Sequence, residues 1–247
     1  MNRLRFSHTL IITAIILTMT ACTSRRENKT SKTEGTWSYT MGLPSSENNE
    51  SEVDAITSYI TFLPGDNKVL LSAKSVRGYQ IPLAIGDYNS RTGNITFPSS
   101  NPLHYISWFY AGNLQLDIRF ENGNAIVNAT DGELKPLFNF GSDACMKKEP
   151  DTIEFGDDLV GEIWKSSAED NDVATLEFIN DREVILNHNN ETSHLFYILD
   201  KGKLAIVTGD NPDKECVTGV VRGNVIELQR EGIARSYPEY NITLHKQ

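Results

Sequence analysis

Positive charge is scarce in this chain. Lysine and arginine number 23 against 33 aspartates and glutamates, which leaves a formal net charge of -10. A surface of that sign repels phosphate backbones, so no nucleic-acid partner is expected. Long apolar runs are lacking too: the run from Leu10 to Met19 is about half of the ~20 residues that a bilayer-spanning helix needs. Catalytic signatures are also missing. There is no His-Glu-x-x-His helix, no Gly-x-Ser-x-Gly elbow, no phosphate loop and no Gly-x-Gly-x-x-Gly after a strand. The chain is therefore expected to be no enzyme, to carry no cofactor or metal, and to work by binding.

The first two dozen residues hold the clearest positive signal. Arg3 and Arg5 precede the apolar run, and Met19-Thr20-Ala21-Cys22 ends it. That order of charge, apolar run, small residues and cysteine resembles the signal peptide of a bacterial lipoprotein. The resemblance implies cleavage after Ala21, lipidation of the Cys22 thiol with palmitate-type chains, and a membrane partner reached through the anchor. Loss of Arg3 and Arg5 would take the formal charge from -10 to -12, leaving the lipid to do the anchoring. Residues 22–34 have no large apolar side chain after Cys22 and read as a flexible tether. Thr23, rather than Asp, follows the cysteine. In lipoproteins of this kind that implies the outer membrane, facing the periplasm. A surface-exposed lipoprotein of the Bacteroidota type is the alternative.

Beyond the tether the chain reads as short strands. Leu114, Leu116, Ile118 and Phe120 alternate with Gln115, Asp117, Arg119 and Glu121, the period of a strand with one wet face. Thr92-Gly93, Asn122-Gly123, Lys201-Gly202 and Arg222-Gly223-Asn224 supply hairpin turns. No sustained helical stripe appears, and the expectation is an all-β protein of antiparallel meanders.

The charged stretch Ala144 to Asp158, with Pro150 and Gly156, separates two strand-rich regions and reads as a connection. The expected organisation is a signal peptide at 1–21, a tether at 22–34, a β domain at 35–148, a linker at 149–158 and a second β domain at 159–247. The domains echo each other. Gly35-Thr36-Trp37 opens the first and Gly161-Glu162-Ile163-Trp164 the second, and each is followed by a strand containing Phe62 or Phe178. A glycine, a tryptophan and a meander of short strands resemble the lipocalin-like, or calycin-type, domains. The resemblance implies barrels closed at one end by Trp37 and Trp164. Strands this short favour an interior filled by side chains, and a two-sheet sandwich is the competing architecture.

Candidate sites are few. Cys145 and Cys216 remain after lipidation of Cys22, and in an oxidising compartment they are either a disulfide or two free thiols. His188 and His194 flank a polar hairpin tip with Glu191, too few ligands for a zinc site. The segment around Tyr105, Trp108, Phe109 and Tyr110 is aromatic on both faces and is the first candidate for a ligand, glycan or partner surface. Asp151-Thr152-Ile153 resembles an O-glycosylation site, placing Thr152 among the candidates. The expected function is a membrane-anchored binding role toward a small ligand, a glycan or an envelope partner. A structural component of an envelope assembly is the alternative.

Overall fold

The computed structural model describes residues 34–42, 54–65, 67–100, 114–131, 144–150, 159–167, 174–188, 191–208, 215–233 and 235–247. These residues form an all-β protein of two closed, eight-stranded antiparallel barrels in tandem. The first runs through β1 (Gly35–Gly42), β2 (Ala55–Phe62), β3 (Lys68–Lys74), β4 (Gln80–Asn89), β5 (Asn94–Phe97), β6 (Leu114–Glu121), β7 (Asn124–Asp131) and β8 (Ala144–Lys148). The second runs through β9 (Ile163–Ser166), β10 (Ala174–Phe178), β11 (Glu183–His188), β12 (Glu191–Asp200), β13 (Lys203–Val207), β14 (Cys216–Arg222), β15 (Val225–Glu231) and β16 (Ser236–Lys246). In each, every strand pairs with the next and the first strand also pairs with the last, so no sheet edge is left open. Closure rules out the sandwich. The charged stretch from Ala144 is a linker only in part, because Ala144–Lys148 is the strand that closes the first barrel against β1.

Local chemistry explains the hairpins. Asn122 and Gly123 both have positive φ, 50° and 79°, as do Lys201 and Gly202, 52° and 78°. Two consecutive left-handed residues make the two-residue turn whose twist matches that of the flanking strands, and glycine at the second position adopts it without a Cβ clash. Closure needs bends as well. The ladder registers slip at Leu71/Ser72 and Gln115/Leu116, where the partner strand carries one extra residue, and at Gln229/Arg230, where Asn241 is followed in the ladder by Tyr237; each irregularity coils the strand around the barrel.

Inside the first barrel Trp37, Ile60, Val69, Leu71, Ile81, Ile95, Phe97, Leu116, Val127 and Met146 fill the core. Trp164, Leu176, Phe178, Tyr197, Leu204, Ile206, Leu228 and Leu244 fill the second. A third body of apolar side chains lies between the barrels. Leu63 and Leu70 of the first meet Ile198 of the second, with Ile85 and Phe196 beside them, while Ala205, Val207, Cys216 and Ile233 of the second join the core cluster of the first. β3, β4, β13 and β14 are therefore covered on both faces over much of their length, and burial there runs through consecutive residues instead of alternating. β6 and β10 keep a clean alternation because one face is wet.

Candidate functional site

The tryptophans lie where each barrel closes. Trp37 sits opposite Ile60 of β2 and Lys148 of β8, and Trp164 opposite Leu176 of β10 and Lys246 of β16, so each stands on the strand shared by both sides of the seam. Both rings are buried. Their surroundings differ. The Trp164 Nε1–H donates to Glu162 Oε2 at 3.1 Å, and the other oxygen of Glu162 pairs with the Lys246 ammonium, which ties the final strand to the first strand of its barrel. The Trp37 N–H is buried without an acceptor; its ring instead packs 5.1 Å from Phe120 and lies 5.7 Å from the Lys148 ammonium. Phe62 extends that aromatic cluster to Tyr88 edge-on at 4.9 Å. In the second barrel Phe178 and Tyr197 make the same edge-on pair at 4.9 Å, and the Tyr197 hydroxyl donates to the Asn180 carbonyl at 2.7 Å.

The second barrel holds a cavity of about 40 Å³ lined by Leu186, His188, Thr208, Val217, Ile242 and Leu244 among others. One water needs roughly 10–15 Å³ on this measure, so the cavity admits a few waters at most. Ligand pockets run upward from ~300 Å³. The histidines do not converge on it. His188 pairs with Glu191 and borders the cavity, whereas His194 pairs with Ile185 and is exposed on the outer face of its strand, so the barrel wall separates them. Among the described residues no three metal-binding side chains cluster.

Of the two alternatives left open for Cys145 and Cys216, the structure holds the second: both are free thiols. Cys145 is exposed on β8 between the inward-facing Ala144 and Met146, while Cys216 is fully buried where the two barrels meet. Burial first, and the neighbouring Glu231 carboxylate second, push the Cys216 thiol well above its ordinary value, so it stays protonated and inert. Cys22, Tyr105, Trp108, Phe109, Tyr110 and Thr152 lie outside the described residues.

A polar cluster at the seam escaped the sequence reading. Glu231 is fully buried, yet its Oε1 accepts the Arg77 backbone N–H at 3.0 Å and its Oε2 accepts the Thr218 hydroxyl at 2.6 Å. The Arg77 guanidinium lies 3.8 Å from Glu231 and bonds Gln229 Oε1 as well. Beside it, Tyr79 is buried with Arg77 and Lys203 cations 5.8 and 5.6 Å from its ring. In sequence Glu231 is one more polar residue on an alternating strand. Only the apolar run beginning at Cys216 on the neighbouring strand hinted that this face was covered.

The exposed large aliphatic side chains of the described residues are Val160, Ile163 and Ile179. Gly161 donates to the Phe178 carbonyl and Ile163 pairs with Glu177, so the three are neighbours where β9 begins and β10 ends. No family model, curated protein or solved structure matches this chain.

Proposed function

We propose that this is a lipid-anchored envelope protein, tethered through Cys22, whose two calycin-like barrels engage an envelope partner through their outer surfaces. The observation that carries this reading is the size of the interior cavity, about 40 Å³ in the second barrel, which disfavours an enclosed ligand. The eight-stranded meanders with a buried tryptophan on each closing strand support the calycin resemblance. The lipid rests on the Met19-Thr20-Ala21-Cys22 sequence after Arg3, Arg5 and the apolar run. The adjoining Val160, Ile163 and Ile179 favour a protein contact, since exposed aliphatic side chains that adjoin offer a dehydratable surface.

Two measurements on protein taken from native membranes test the proposal. Intact mass should show acyl chains on the mature chain, and Cys22→Ala should abolish lipid labelling and move folded protein to the soluble fraction; labelling that persists in Cys22→Ala overturns the anchor. Native mass spectrometry should find no stoichiometric small molecule, and a co-purified one retained by the barrels would overturn the surface-binding mode.

A further inference from the structure

We infer that Glu231 is the positioning residue that selects a single docking of the two barrels. The apposed walls are mainly aliphatic, with Leu63, Leu70 and Ile85 facing Phe196 and Ile198. Apolar attraction is non-directional, so such walls hold the barrels together without fixing how one is turned on the other. Direction comes from the carboxylate. Glu231 is 0% exposed, and its oxygens are satisfied from both barrels: the Arg77 N–H and guanidinium reach it from the β3–β4 turn of the first, and the Thr218 hydroxyl from β14 of the second.

A slide of one residue along a strand displaces the turn by about 3.3 Å, more than a hydrogen bond tolerates. It would leave a charge buried against Val207 and Cys216 with only Thr218 to bond it. Any docking other than the observed one is thereby penalised, the attested use of a buried polar group in an apolar contact. The β3–β4 turn is itself pinned. The Ser75 hydroxyl accepts the Tyr79 N–H at 3.0 Å and its backbone N–H donates to the Tyr79 carbonyl at 2.9 Å, so the Arg77 N–H is presented by a preformed loop. The consequence is a composite face, with side chains of both barrels, held in fixed geometry.

The full chain carrying Cys22→Ala, spin-labelled at Cys145 on the first barrel and at an introduced Lys165→Cys on the second, reports the docking directly. Pulsed dipolar spectroscopy should give one narrow distance. Glu231→Leu removes the carboxylate but keeps the burial, and should lose the single distance for a broad or multiple distribution while circular dichroism stays native. Glu231→Gln, whose amide oxygen still accepts from Arg77 and whose amide nitrogen donates to Thr218, should restore the narrow distance. If Glu231→Leu does not fold, Glu231→Met, an unbranched apolar side chain of similar length that also removes both acceptor oxygens, serves as the same test. A folded variant of either kind with a distribution as narrow as that of the unaltered protein overturns the proposal.

Discussion

Cys145 and Cys216 show how little a residue's name says about its chemistry. Both are free thiols, but one is exposed on a closing strand and the other is sealed between barrels. A thiol reagent applied to native protein should modify Cys145 and leave Cys216 untouched until the chain unfolds; rapid native reaction of both, followed by peptide mass, would contradict the burial. The same burial sets a pH dependence. An unfolded thiol loses its proton near 9.0 while folded Cys216 holds it, so above that pH deprotonation favours the unfolded chain. Tyr59, Tyr79 and Tyr88, each raised above 10.0 chiefly by burial, add to the trend at higher pH. Stability in urea should fall as pH rises beyond about 9, and Cys216→Ala should flatten the first part of that fall. None of this was legible in the cysteine spacing, which carries no information about distance in space.

At the scale of elements the strands themselves were legible. The alternation in β6, from Leu114 to Glu121, and the turn residues Asn122-Gly123 placed a hairpin that the structure contains, because period and turn chemistry are local properties. The doubly covered strands carried a different message. Consecutive apolar residues such as Val69-Leu70-Leu71 do not by themselves say which neighbour covers the second face. Packing inside the barrels is equally non-local. A Cβ at Gly86 of β4 would sit 2.7 Å from Phe97 Cδ1 and 2.8 Å from the Thr96 carbonyl oxygen, so strand and ring can approach only because the side chain is absent. Gly86→Ala should destabilise the protein by about 1–3 kcal/mol, the usual cost of overpacking a filled core. Urea unfolding measures it; an unchanged midpoint would show that the first barrel has slack.

The whole molecule is two copies of one architecture that share a buried wall. Because Leu63, Leu70, Ile198, Ala205 and Val207 are buried where the barrels meet, neither barrel keeps its full core when the other unfolds. Calorimetry of the unaltered protein should therefore show one cooperative transition. Leu70→Lys places an ammonium among the apolar side chains of the seam and should split the transition in two while each barrel keeps its strands. A single transition in that variant would mean that the barrels communicate by another route. The repeat was traceable in the two Gly-to-Trp openings, yet the tryptophans ended in unlike settings. Trp164 found Glu162 two residues before it, and Trp37 found only rings and a lysine.

By itself the sequence determined the strands, the hairpins and the duplication, because each of these is written in residues close together along the chain. Closure of the sheets, the separate fates of the two thiols, the small interior cavity and the carboxylate between the barrels were decided by tertiary structure. Each depends on which residues meet from far apart along the chain, as Arg77 meets Glu231, and pattern within a strand cannot encode its partner.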